Sequence, residues 1–293
     1  MMEGFLNILK PPGMSSHDVV SAVRKILQVR RVGHAGTLDP AAAGVLPIAV
    51  GRAARFIEYL SMSDKSYRAE ILLGTETDSG DLMGRILRQR TDFSMPSMAE
   101  LHGVLEEFRG KIMQRPSVFS AIKVQGRKAC DLARRDEAVE IPAREVEIYR
   151  MALLEACPEE RKFHMDVDCS KGTYIRSLCM DIGKRLGLPA VLSFLLRTRV
   201  GSFRLPQAST LEELSAQKEG ALLAVGDCLS HIPAYELPEH RVKPFCNGLP
   251  TGVHEKALPA LLRVSSAGEF LGIARYDSKE QSVCPVKIYR ECT

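Results

Sequence analysis

Apolar residues recur along the chain at two different periods, and the switches between them outline its elements. Residues 5–9 read as a strand, and Lys10-Pro11-Pro12-Gly13 reads as the turn that ends it. Ser15 followed by Asp18 makes a capping-box pattern, after which Val19, Val23, Ile26 and Leu27 share one helical face. Residues 67–73 are rich in strand formers and stop at Gly74, while residues 75–84, with Glu76, Asp78 and Asp81, read as a solvated polar loop. A second capping box, Ser97 with Glu100, precedes Leu101, Val104, Leu105 and Phe108 at helical spacing. Residues 164–169 alternate as a strand, and residues 170–173 turn into a helix from Tyr174 that sends Ile175, Leu178, Ile182 and Leu186 inward. Beyond Pro238 the pattern changes to short strands with glycine turns, at residues 245–248, Val264, residues 268–274 and residues 283–289, which predicts a small β domain. Strands and helices interleave without an internal repeat, so the expected class is α+β.

Composition narrows this picture only slightly. The 293 residues are 45% hydrophobic and 26% charged, enough to bury a core in one large domain plus a small one. The formal charge is only +4, so affinity for a polyanion must come from where the charges lie. The eight cysteines form no C-x-x-C pair, which points to neither a zinc site nor a disulfide scaffold, and reduced thiols in a cytoplasm are expected. The first residues carry no signal-peptide core, and no apolar run reaches the length of a membrane span. No heptad or long apolar stripe argues for assembly, so a monomer without an obligatory protein partner is expected.

Candidate chemistry centres on Asp39. It lies in Gly33-His34-Ala35-Gly36-Thr37-Leu38-Asp39-Pro40, followed by Ala41-Ala42-Ala43-Gly44-Val45-Leu46-Pro47, so one acid is held between turn-forming glycines and a proline with an apolar floor behind it. A tight turn before a buried strand would read the same way. Arg176 falls in the first turn of its helix, where a cation opposes the helix dipole unless an anion compensates it. That placement makes it a candidate partner for a buried carboxylate such as Asp39. Arg127, Lys128, Arg134 and Arg135 form a basic segment that could grip phosphates or simply be a solvated face.

Taken in order, the motifs closely resemble those of the TruB family of tRNA pseudouridine-55 synthases. The resemblance runs through Lys10-Pro11-Pro12-Gly13-Met14-Ser15-Ser16, the Gly33–Pro40 stretch, Gly44-Val45-Leu46-Pro47 and Gly51. It continues through Tyr67, Leu73-Gly74, Thr77-Asp78, Asp81, Ser120-Ala121-x-Lys123-x-x-Gly126 and Ser170-x-Gly172-Thr173-Tyr174-Ile175-Arg176. Arg115-Pro116, Phe119 and Cys130 depart from the family pattern without replacing a residue that carries chemistry.

The resemblance implies a catalytic domain over residues 1–235, with a central mixed or antiparallel sheet flanked by helices, and a PUA-like RNA-binding domain over residues 236–293. It implies a cytoplasmic enzyme that isomerises a T-loop uridine of tRNA without cofactor or metal. Asp39 would be the essential carboxylate, by addition to the sugar or base or by a glycal route, and Arg176 the opposite charge that keeps it ionised. Tyr67 would stack on the extruded base and could take its C5 proton, and Tyr174 and Leu195 would line the uracil pocket. His34 would enter the T loop, and Lys10 and Pro11 would buttress the Asp39 loop. Arg52, Arg55, Arg127 and Lys128 are candidate phosphate contacts. Other readings are an RNA-binding or RNA-folding module and a guide-RNA-dependent relative, whose members carry longer basic extensions than this chain ending at Thr293. A nucleotidyl transferase using residues 34–37 ranks last, because the second histidine it needs is absent.

Overall fold

Where both faces of a strand are covered, the chain can afford no polar alternation, and Ala43–Val50 is buried at every position. In the computed structural model, which describes residues 2–120, 122–124, 126–129, 132, 141–253 and 257–290, this strand pairs antiparallel with Gly4–Lys10 and with Val32–His34. On one side Leu6, Ile8, Leu46 and Ile48 pack under Val19, Val20, Val23 and Leu27 of the helix Ser16–Leu27. That helix starts where the pattern places it, since Ser15 and Asp18 complete a reciprocal capping box. On the other side Phe5, Val45 and Ala49 meet Phe56, Leu60, Val200, Phe203 and Leu229.

These residues belong to the first of two compact units, formed by residues 1–63 and 199–293. The same unit contains a five-stranded sheet in the order Ala234–Glu236, Leu261–Ser266, Glu269–Asp277, Ser282–Ile288, Thr251–Gly252. Leu262, Val264, Leu271 and Val283 of its strands share an apolar core with Leu237 and Phe245. Phe270 and Tyr289 stack edge-on against Phe56, with ring centroids 5.6 and 5.8 Å away. Residues 245–248 are not a strand. Val242–Cys246 is a short helix, because Pro244 has no amide to give a ladder and the amides of Asn247 and Gly248 fold back onto the Lys243 and Phe245 carbonyls.

The second unit, residues 64–198, is built on a sheet in which Ala190–Val200, Lys65–Leu73, Lys162–Cys169, Arg144–Cys157 and Gly110–Gln114 are neighbours in that order. Lys65–Leu73 alternates strictly, burying Lys65, Tyr67, Ala69, Ile71 and Leu73. The helix Ile175–Leu186 buries Ile175, Leu178, Cys179 and Ile182. Gly183 lets it approach the next strand closely, since a Cβ there would sit 2.3 Å from that of Ala190. Ser97 and Glu100 cap the helix Met98–Glu107 as a reciprocal box.

The stretch after Gly74 is no solvated loop. Thr75–Thr77 pairs with Ile86–Gln89, and Thr75, Thr77 and Ser79 are buried. Among the described residues no helix is long and apolar enough to cross a membrane. Cys157, Cys169, Cys179, Cys228 and Cys284 are free thiols, whereas Cys246 is disulfide-bonded, which the spacing of cysteines did not reveal.

Candidate active site

In the first unit, the backbone on either side of Asp39 is tied down residue by residue. Lys10 ends its strand with a side chain that is 0% exposed, and a buried ammonium needs acceptors for its protons. Its Nζ donates to the carbonyls of Pro11 (2.8 Å), Pro40 (3.1 Å) and Ala42 (2.6 Å). The Gly13 amide donates to the same Pro40 carbonyl at 2.8 Å. Before Asp39, the Ser16 hydroxyl both donates to the Leu38 carbonyl (3.0 Å) and accepts from its amide (2.9 Å). The Ala42 amide donates to the Asp39 carbonyl at 3.1 Å, and Gly36 makes the preceding turn at φ +90°, a conformation closed to most side chains. Asp39 itself is half-buried, as is His34 at the end of Val32–His34.

The second unit presents a different arrangement. Tyr67 lies on the buried face of its strand, and Arg197, 1% exposed on Ala190–Val200, is hydrogen-bonded to it. Burial pushes the Arg197 pKa down, and the interaction with Tyr67 opposes that shift. Leu195 is buried two residues earlier on the same strand, so it shares the face of Arg197. Lys65, two residues before Tyr67, is also buried. Burial first, and then the like charge of Arg197, push its amine down to about 8.

Arg176 is 6% exposed in the first turn of its helix, and the dipole cost of that position is met locally. Nη1 donates to the Ser79 carbonyl at 2.8 Å and lies 3.7 Å from the Asp81 carboxylate, while Nη2 donates to the Phe119 carbonyl at 2.9 Å. Asp81 is oriented in turn by the Ser79 hydroxyl (2.6 Å) and the Met83 amide (3.0 Å). Of the acids after Gly74, Asp81 therefore faces the Arg176 guanidinium, while Asp78 and Glu76 pair with Arg85 and Arg88. Tyr174 caps the helix with its backbone, which exchanges two hydrogen bonds with buried Gln114. The Arg144 guanidinium lies 5.1 Å from the centre of the Tyr174 ring.

Arg197, Lys65 and Gln114 carry much of this geometry, and none of them was among the candidate site residues. The signal available was a charged or amide side chain at the phase of a strand's buried positions. Of the basic residues, Arg52 pairs with Glu3 at 3.2 Å, Arg55 donates to the Ile288 carbonyl, and Arg127 is exposed on a small hairpin. The Lys128 side chain and the residues Ala121, Cys130, Arg134 and Arg135 lie outside the described residues.

Known proteins of similar sequence or fold bear on what this geometry serves. Residues 24–175 match the model of the TruB family pseudouridylate synthase N-terminal domain, and residues 176–225 match the tRNA pseudouridylate synthase B C-terminal domain. The tRNA pseudouridine synthase B of Moorella thermoacetica is 44% identical over 94% of this chain and 95% of its own length. That of Geobacillus thermodenitrificans is 37% identical over 99% and 100%. Among solved structures, a chain from an H/ACA ribonucleoprotein bound to a substrate RNA containing 2′-deoxyuridine superposes with a TM-score of 0.76 at 26% identity, covering 98% of this chain and 85% of that one. A chain of a Cbf5–Nop10–Gar1 complex gives the same values. With over half of its length matched by the family model and near-complete relatives well above 30% identity, the chain belongs to the TruB family of pseudouridylate synthases.

Proposed function

We propose that this chain converts the T-loop uridine 55 of tRNA to pseudouridine, with Asp39 as the essential carboxylate. The atoms balance within the uridine itself. The N1–C1′ bond breaks, the base turns, C5 bonds to C1′, and the proton lost from C5 is matched by one gained at N1. The observation that carries this reading is the clamp of Lys10, Gly13 and Ser16 on Leu38, Pro40 and Ala42, which fixes the backbone of the one acid that the family motif places in the chemistry.

Tyr67 is assigned to stack on the extruded uracil and to serve as a route for the C5 proton, its side chain hydrogen-bonded to the buried Arg197. Leu195 and Tyr174 would line the base, His34 would enter the T loop, and Lys10 and Pro11 would keep the Asp39 loop in place. Arg176 is assigned the positive charge that favours the Asp39 anion. Asp81 lies 3.7 Å from the same guanidinium, longer than a tight ion-pair hydrogen bond. The five-stranded sheet, taken as the core of a PUA-like module over residues 236–293, is assigned to hold RNA beyond the T loop. It carries a groove of about 470 Å³ lined by Tyr235, His240, Arg241, Thr251 and Val253, which offers a cation and aromatic surface to a backbone phosphate.

A guide-RNA-dependent role is the second reading, favoured by the likeness to a chain of an H/ACA ribonucleoprotein bound to a substrate RNA. One experiment separates them: incubation of the purified chain with an unmodified tRNA transcript, without any other RNA or protein, followed by mapping of pseudouridine. Modification at uridine 55 alone supports the stand-alone reading. No modification until a guide RNA is added would replace it with the second.

A further inference from the structure

On the solvent face of the second unit's sheet, away from Tyr67 and Arg197, one cross-strand row holds Glu155, His164 and Glu70. Glu155 is in register with His164 and His164 with Glu70. Cys157 lies two residues beyond Glu155 on the same strand, next to the hairpin turn at Pro158–Glu160. This juxtaposition depends on a bulge. The register shifts between Leu153 and Glu155, and without that extra residue Glu155 would stand opposite Phe163, on the apolar face. The bulge instead turns Glu155 and Cys157 to the side of His164 and leaves Leu154 exposed.

We infer that Glu155, Cys157 and His164 form a binding site for a divalent cation of borderline softness, Zn²⁺ above all. The ligand atoms of the three residues all lie within 4.8 Å of one another. Tetrahedral zinc, with bonds of about 2.0–2.3 Å, needs them roughly 3.5 Å apart; Glu155 already lies 3.1 Å from His164 Nδ1, and the whole cluster is within about an ångström of that spacing. The histidine is already oriented as a ligand. Its Nε2 lies 2.9 Å from the Glu70 carboxylate, which fixes a proton there, while its buried Nδ1 makes no hydrogen bond and lies 3.1 Å from Glu155. A carboxylate behind the imidazole is the arrangement that sets the tautomer and raises ligand basicity at zinc sites. Glu70 is itself held by the Ser193 hydroxyl at 2.7 Å and Lys162 at 3.2 Å.

The Cys157 thiol is free, and on binding its proton leaves to solvent as the S–Zn bond forms. A thiol with an imidazole selects zinc over magnesium or calcium, and water completes the fourth position. The cation would staple the tip of the hairpin across its bulge.

The test uses the full chain, stripped of metal by a chelator, dialysed, and titrated with Co²⁺ as a spectroscopic stand-in for Zn²⁺. One cobalt per chain is expected, with a thiolate-to-cobalt charge-transfer band that equimolar Zn²⁺ abolishes. Cys157→Ser should remove the band, His164→Gln should weaken binding at least about tenfold, and Glu70→Gln should weaken it by about tenfold through the imidazole. Circular dichroism and pseudouridine formation should stay at wild-type levels in all three. No stoichiometric band, a band that persists in Cys157→Ser, or wild-type affinity in His164→Gln would overturn the site.

Discussion

The two units hold their candidate catalytic residues by opposite means. Around Asp39 the main chain is fixed, through carbonyls gathered on the buried Lys10 ammonium and a serine that grips Leu38 by both its amide and its carbonyl. Around Tyr67 the side chain is fixed, through a guanidinium that is almost wholly buried and an amine beside it whose charge burial disfavours. The difference teaches where each arrangement stores its cost. A backbone clamp satisfies every group it buries, so it should rigidify and stabilise together. A cluster of like charges positions an aromatic ring at the expense of the fold.

Lys10→Met should break the first arrangement most severely. The Pro11, Pro40 and Ala42 carbonyls lose a charged donor, and a loss of about 3 kcal/mol or more is expected as a drop in the urea midpoint. A midpoint within experimental error of wild type would mean that the clamp is ornamental.

Lys65 tests the opposite arrangement through pH. Its folded pKa of about 8 lies below the usual 10.5, so between those values the unfolded chain binds more protons than the folded one. The penalty is therefore complete below about pH 8 and is relieved as pH rises towards 10.5. Lys65→Met should be more stable than wild type at pH 7 by on the order of 2 kcal/mol, with the gap closing as the wild type gains between pH 8 and 10.5. A variant less stable at every pH would show that the amine is a net support.

Ser16→Ala gives the smallest effect. Removing one hydroxyl that serves Leu38 should cost about 1 kcal/mol and lower kcat with little change in KM, because it loosens Asp39 without touching RNA. A change in KM alone would place Ser16 in binding.

These two arrangements also differ in how legible they were. The Asp39 loop, the capping boxes at Ser15 and Ser97 and the strand at residues 67–73 follow from local rules of turn chemistry and periodicity, and the structure has all of them. What the sequence concealed depends on tertiary pairing. Residues 75–84 read as solvated because their side chains are polar, yet their carbonyls and Asp81 are what Arg176 requires in order to be buried. Lys65 and Arg197 are long cations at buried phases of their strands, which periodicity alone would exclude from a core. The Phe245 helix was hidden by a glycine that resembles a strand turn. Glu155, Cys157 and His164 come together only across a bulged hairpin, so no ligand-spacing rule for C-x-x-C could find them. Nor does any linear pattern announce that residues 199–293 fold with residues 1–63.

The most direct test of the role given to Asp39 is tritium release from a tRNA transcript labelled at C5 of uridine, with wild type and Asp39→Asn side by side and binding measured on both. Release by the wild type, a loss on the order of 10⁴-fold in the variant and unchanged binding are the predicted result. Comparable release from both proteins would contradict the assignment of Asp39 as the carboxylate on which the chemistry depends.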